Sequence, residues 1–194
     1  MKKLISILLI CFPLMLVGQP FANSDYYLLD SIDLAGYSAG DKALLEKSLK
    51  QYHSSQNDTT KVRALNTICR DMLHEDWMGY QQLQYEIIKQ ALNKKNSEQT
   101  ELFLNRSLMA AVGNLGYIDK ENSDIDLALS YYKKSLDLSI QLGEKRSEAT
   151  NYNNIGLVYY RRGMVQQALD YYHKSLQIEE SIGNKTGIAT SLNQ

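Results

Sequence analysis

The C-terminal part of this chain, residues 114–194, consists of two similar segments forty residues apart. The segment 114–154, aligned without gaps on 154–194, is identical at fourteen of forty-one positions. Chance would give roughly two or three identities at average residue usage. A fixed period of this length is typical of a stacked solenoid, in which each unit buries its apolar face only against its neighbours. The repeat therefore predicts a protein that presents a surface to a partner and does little chemistry.

The distribution of proline indicates helices throughout the repeated region. Proline occurs only at Pro13 and Pro20, so nothing breaks a helix over the rest of the chain. From residue 59 onward apolar residues recur at the three-and-four spacing of a buried helix face. The first such stripe consists of Val62, Leu65, Ile68, Cys69, Met72 and Leu73. The expected fold class is all-α, a right-handed solenoid of helical hairpins.

The N-terminus carries the pattern of a secretory signal peptide. Lys2 and Lys3 precede the uncharged run 4–17, and small or polar residues follow it. The alternative is a membrane anchor, but a spanning helix needs about 20 apolar residues and this run contains Pro13. We expect a signal peptide over residues 1–22 and an exported protein, located in the periplasm or cell envelope.

Composition excludes some classes of protein. The formal net charge is −1 and acidic and basic residues are interspersed, so the one-sided basic surface that nucleic acid requires is not expected. After the signal peptide the chain keeps a single cysteine, Cys69, which predicts an exported protein held by packing without an internal disulfide.

Capping and turn residues along the chain predict the helix boundaries. Residues 23–58 form an N-terminal segment with a capping helix that starts at Asp41 as its N-cap, and residues 59–194 form the array. We expect seven helices in the array, in antiparallel pairs. Their expected boundaries are a first helix over 59–75, a turn at Gly79, a helix opened by Ser97, a capping box at Ser123–Asp126, and left-handed glycine caps at Gly143 and Gly183.

Small residues in the clearest unit mark a close helix crossing. Gly156 and Ala168 are expected where two helices approach, and Gly163 fits the turn between them. Large residues alternate with these small ones on the two facing stripes, which are Tyr152, Ile155 and Tyr159 on the first helix, and Tyr172 and Leu176 on the second.

This alternation at fixed offsets resembles the tetratricopeptide repeat, a helix-turn-helix unit of about 34 residues. The usual proline after the second helix is replaced by Glu180, and the unit is six residues longer, as in repeats of the kinesin light chain type. The resemblance implies a degenerate repeat over 59–96, two clear repeats over 107–146 and 147–186, and a truncated one from 187. Because the alignment breaks off within a first helix, we expect the chain to be part of a longer protein.

Catalytic and metal-binding motifs are weak throughout. His74 is followed by Glu75, as in a zinc-protease helix, but no second histidine stands four residues later. Cys69 is expected to fill a small position in the core. We therefore predict no catalytic residue, no metal site and no cofactor.

A first-helix face is the expected binding site. Tyr117 and Tyr160 fall one position off the core stripe, where a first helix faces the concave groove, and their rings suit peptide binding. The alternative is a merely solvated face. The full set predicted to line the groove is Tyr117, Asn153, Asn154, Tyr160, Arg161 and Asn193. The carboxylate clamp known in this family is not expected, because only Asn154 matches its lysine, arginine and asparagine positions.

The resemblance implies a non-catalytic module that binds a protein or peptide partner in the concave groove. Together with the export signal, it resembles the N-terminal sensory region of bacterial envelope proteins, in which a transmembrane helix and a histidine kinase or other output domain follow. The segment 57–66 resembles the entry to such arrays. Membrane association is expected only through a downstream helix. The alternatives are a free periplasmic assembly or scaffold factor and, less favoured, an accessory module of an exported enzyme.

Overall fold

The computed structural model describes residues 34–73, 75–121 and 124–193, and every regular element in these ranges is an α-helix. The helices are α1 (Ala39–Ser54), α2 (Asp58–Asp71), α3 (Trp77–Leu92), α4 (Glu98–Glu121), α5 (Ile125–Gln141), α6 (Lys145–Arg161), α7 (Val165–Ser181) and α8 (Lys185–Leu192). The all-α fold class is confirmed, with seven helices after α1 in the described part. The predicted signal peptide lies outside the described residues.

The helices stack in the manner of a solenoid. Each packs against the helix before it and the helix after it, and further contacts link α2 to α4 and α6 to α8. The even-numbered helices therefore lie side by side as the first helices of successive hairpins, while α3, α5 and α7 are the second helices. Each hairpin buries apolar surface against its neighbours, which is how a solenoid holds together without a central core.

Three glycines end their helices in the same way. Gly143, Gly163 and Gly183 have φ angles of 68°, 73° and 65°, a left-handed conformation that costs glycine no steric strain. The amide after each glycine donates back to a carbonyl five residues earlier, as Glu144 N does to Ser139 O at 2.9 Å. This is the hydrogen bond of the Schellman motif. The predicted glycine caps are confirmed, and Gly163 makes the predicted tight turn.

The predicted close crossing is also confirmed. A Cβ atom on Gly156 would lie 2.6 Å from Cε1 of Tyr172 and 3.2 Å from the carbonyl oxygen of Ala168. The same relation holds in the preceding hairpin, where a Cβ on Gly116 would lie 2.9 Å from the Tyr132 ring. Glycine lets the tyrosine ring pack closely against the facing helix, and both tyrosines are buried there.

Two predicted helix starts differ from the structure, by three residues in α1 and by one residue in α5. The N-cap of α1 is Ser38, whose hydroxyl accepts from the amide of Asp41 at 3.0 Å. Asp41 instead lies in the first turn, buried, and its carboxylate accepts from the amide of Leu73 at 2.9 Å. In α5 the N-cap is Asp124, which accepts from the amide of Leu127.

The first connection of the array differs from the prediction as well. α2 ends at Asp71 because Met72 has an extended backbone, four residues earlier than expected. Gly79 is then inside α3 and makes no turn. The chain reverses just after Met72, where the Asp41 carboxylate takes the Leu73 amide that would otherwise continue the helix.

Candidate protein-binding groove

The first helices form one face with three adjacent hollows. The hollows lie between α2 and α4, between α4 and α6, and between α6 and α8, with volumes of about 550, 430 and 470 Å³. We call this face the groove. Each hollow is lined by residues of two first helices and by at least one residue of the second helix between them.

The floor of the groove is polar and joins successive hairpins. Between α2 and α4, Asn66 Nδ2 donates to Ser107 Oγ at 3.2 Å. Asn151 Nδ2 of α6 donates to Ser135 Oγ of α5 at 3.0 Å, and that hydroxyl donates to a carbonyl of α4, closing the set. These floor groups hydrogen-bond to one another, as buried polar groups in proteins usually do. Their role is to hold neighbouring hairpins together.

Three of the residues predicted for the groove line its hollows. Asn153 and Asn154 line the hollow between α6 and α8, and Asn154 also reaches the hollow between α4 and α6. There it meets Tyr117, whose side chain is exposed and lies with its ring centroid 4.5 Å from Lys120 Nζ. The structure thus places Asn154 with Asn153 in one hollow and with Tyr117 in the next.

The other three lie on the surface outside the hollows. Tyr160 and Arg161 are exposed, and they follow Asn153 and Asn154 by seven residues, which is close to two helical turns on the same face. Asn193 is the exposed C-cap of α8. Whether these residues bind a partner stays a prediction.

Sequence reasoning missed the basic residue at the middle of the groove. Arg146 of α6 lines the hollows on both sides of that helix, together with Thr150. Among the described residues its guanidinium forms no ion pair, whereas Arg106 in the first hollow binds Glu144 at 2.8 Å. The spacing 146, 150, 153 and 154 is that of one helix face, so the same periodicity that gave Asn153 could have given Arg146.

A carboxylate in the wall of the last hollow was also missed. Glu179 of α7 is only 4% exposed, and its Oε2 has no hydrogen-bond partner among the described residues. It lies against Gly187 of α8, where a Cβ atom would overlap the carboxylate. No local sequence pattern marks this residue, because a glutamate on an amphipathic helix is normally exposed.

The region that contains these hairpins was compared with known protein families. Residues 107–181 match a family model described as tetratricopeptide repeat. The hairpins there are therefore similar to tetratricopeptide repeats. The match takes in α5, α6 and α7 with most of α4, and so covers the hairpins whose glycine–tyrosine crossings are described above. No curated protein matches the chain.

Tetratricopeptide repeats generally act as modules that bind protein partners, which makes the groove a candidate surface for such binding. Its one thiol is unsuited to nucleophilic chemistry, because burial raises the pKa of Cys69 to about 12 and the thiol stays protonated at neutral pH. Within the described ranges, acidic, histidine and cysteine side chains form no cluster able to hold a metal ion. In the same part of the chain, no helix has the length and apolar character needed to span a bilayer.

Proposed function

We propose that the groove binds a peptide segment of a protein partner. The observation that carries this proposal is the row of three hollows along the first helices, with uncommitted polar side chains on α6. Arg146, Asn153 and Asn154 form no side-chain hydrogen bond or ion pair among the described residues, although they line the hollows. Such groups are free to pair with the backbone and side chains of a bound segment.

The proposal is tested by site-specific photo-crosslinking. A photoreactive phenylalanine analogue replaces Thr150, which is exposed in the groove, or Lys133, which is exposed on α5 outside the hollows. We expect a defined crosslinked species from position 150 and none from position 133, and Asn154→Ala should weaken it. Equal crosslinking from both positions would show that the groove is not the binding site.

We further propose that the protein is exported and that the groove acts in the cell envelope. Support comes from the charged and then apolar N-terminal pattern over residues 1–22. Fusion of the N-terminal 23 residues to alkaline phosphatase, which is active only after export, tests this. The control fusion carries Leu8→Arg and Leu9→Arg in the apolar run. High activity of both fusions, or of neither, contradicts export by this segment.

Within that setting the favoured role is the sensory part of a signalling protein. The alternative is a free-standing assembly or scaffold factor, and an accessory module of an enzyme is less favoured. A stretch of about 20 apolar residues encoded after the last repeat favours the sensor, because a sensor must pass its signal across the membrane. Partner binding without any such stretch favours the scaffold factor.

A further inference from the structure

We infer that the hollow between α6 and α8 receives a basic side chain, lysine or arginine, of the bound partner, with the carboxylate of Glu179 as its counter-charge. This inference rests on the proposed function, since it names one subsite of the same groove. It differs from a carboxylate clamp, which would bind an anion with basic groups of the protein.

The first argument is the state of the carboxylate itself. Glu179 is 4% exposed and its Oε2 has no partner in the described part of the chain. A buried carboxylate oxygen without a donor loses its hydration and gains nothing in return, so buried acceptors in proteins are almost always paired. Because Glu179 lines the hollow, a group that enters the hollow can supply the missing donor.

The charged neighbours leave that position open. Arg146 lines the same hollow but forms no ion pair with Glu179. Lys145, the basic residue beside it, binds Glu148 at 2.8 Å. No basic side chain of the described residues forms an ion pair with Glu179, so a positively charged group of the partner can take this position.

The second argument is that the chain makes room for this carboxylate. Forty residues earlier the equivalent positions of the α5–α6 junction are Ser139 and Ser147. Ser139 donates its hydroxyl to the carbonyl of Leu136 at 2.7 Å and so needs nothing from the groove. At the α7–α8 junction the small serine is replaced by Glu179, and the facing serine by Gly187. The larger side chain of Glu179 is thus compensated by the missing side chain of Gly187. The two changes together preserve the packing and place an acid in the wall of the hollow.

The other residues that line the hollow suit the charged end group of a lysine or arginine. Asn153, Asn154 and Thr190 place amide and hydroxyl groups around the hollow, and these can accept further N–H groups of a guanidinium or ammonium. A charge-assisted pair to a desolvated carboxylate is stronger than a neutral hydrogen bond and shorter. The carboxylate of Glu179 therefore favours a basic side chain over a neutral one in this hollow.

The test uses linear twelve-residue peptides selected by display on the purified chain. We expect the groove binders to share a lysine or arginine, and replacement of that residue by norleucine, which keeps the aliphatic stem and removes the charge, should weaken binding roughly tenfold. Glu179→Gln should weaken the unsubstituted peptide by a similar factor and abolish the difference between the two peptides. Glu180→Gln, an exposed acid next in sequence, is the control and should change nothing.

A second variant guards against misfolding of the first. The double substitution Glu179→Ser with Gly187→Ser copies the α5–α6 junction of the same chain, and it should fold and bind like Glu179→Gln. Groove binders without a basic residue, or an equal norleucine penalty in both proteins, overturn this inference and leave the proposed function intact. So does Glu179-dependent binding of Ca²⁺ or Mg²⁺ alone by calorimetry. A chain that selects no groove binder, with no crosslink from position 150, overturns both.

Discussion

The α5–α6 and α7–α8 junctions have the same backbone and different side chains. In both, the carbonyl of the residue at position 139 or 179 accepts from the amide five residues later at 2.9 Å, and Gly143 and Gly183 have φ angles of 68° and 65°. The side chains at those positions are a serine satisfied within its own helix and a glutamate whose Oε2 has no hydrogen-bond partner in the described part of the chain. The repeat thus conserves what shapes the backbone, and it leaves the groove wall free to differ.

The same comparison shows that burial depends on the neighbouring hairpin as well as on the residue. Leu129 of α5 is 8% exposed, packed in a cluster with residues of α6 such as Ile155. Leu169 of α7, its equivalent forty residues later, is 44% exposed. Identical residues in a solenoid therefore contribute differently to stability according to what covers them.

The largest effect on stability is expected at the close helix crossing that occurs within each of two hairpins, α4–α5 and α6–α7. Gly156→Leu forces a side chain into the Tyr172 ring and the Ala168 carbonyl, and should lower the free energy of unfolding by about 3 kcal/mol or more. Gly116→Leu should do the same in the other hairpin. Urea denaturation measures both.

The control for the crossing is Gly163→Ala. No described residue lies within 4 Å of the position that its Cβ would take, so only the left-handed backbone with φ of 73° is strained, at about 1 to 2 kcal/mol. If Gly156→Leu is no worse than this control, the close crossing does not hold the hairpin together.

A smaller effect tests the exchange of Glu179 and Gly187 directly. Gly187→Ala gains helix propensity of up to about 1 kcal/mol but displaces the Glu179 carboxylate. In the Glu179→Ser background that displacement disappears, so the gain should appear in full. We expect a coupling free energy of about 1 kcal/mol between the two positions in a double-mutant cycle.

The matched cycle uses Ser147→Ala with Ser139→Ala at the other junction. Ser139 is satisfied by its own helix, so the coupling there should be close to zero. Equal coupling at the two junctions would show that the glutamate and the glycine are not a matched pair.

A third difference between the hairpins depends on pH. Where α6 has Tyr159, with its ring stacked on Tyr171 at 5.3 Å, α4 has Asp119, one of whose carboxylate oxygens is buried without a hydrogen-bond partner among the described residues. Burial, with a smaller contribution from the nearby Asp124 carboxylate, raises the pKa of Asp119 to about 6.

The folded state therefore binds a proton that the unfolded chain has released, and stability falls as pH rises from about 4 to about 6. Asp119→Asn should remove this loss and stabilise the protein at pH 7, by no more than about 1 kcal/mol because solvent screens a partly exposed carboxyl. At pH 4 the two proteins should be nearly equal. Thermal melts across this range measure the difference, and a gap that is constant with pH would assign the effect to packing.

More of the backbone than of the candidate site could be predicted from the sequence. Glycine caps and the Gly156 crossing follow from local rules, since left-handed backbone and close helix contact both require glycine. Gly79 misled because a glycine inside a helix looks the same in sequence as one in a turn. The turn before it depends instead on Asp41, more than thirty residues away, which holds the Leu73 amide.

The groove was predictable only in part, for a similar reason. Helical periodicity identified the face that carries Asn153 and Asn154, because a face depends on spacing alone. It could not identify Glu179, whose burial depends on Gly187 in another helix. The sequence shows that Ser139 and Ser147 correspond to Glu179 and Gly187 one repeat later. It does not show that Glu179 lies against Gly187, which is what gives the two differences their meaning.

The smallest effect on stability is expected at the exposed end of the groove. Tyr160 is 55% exposed, so Tyr160→Ala should lower the free energy of unfolding by at most about 1 kcal/mol, and Arg161→Ala by no more. Both should weaken the crosslink from position 150 if the bound segment extends along α6. A melt of Tyr160→Ala as low as that of Gly156→Leu would make the tyrosine part of the core. Normal folding with an unchanged crosslink would instead make this end of the face merely solvated, and would confine binding to the hollows around Arg146.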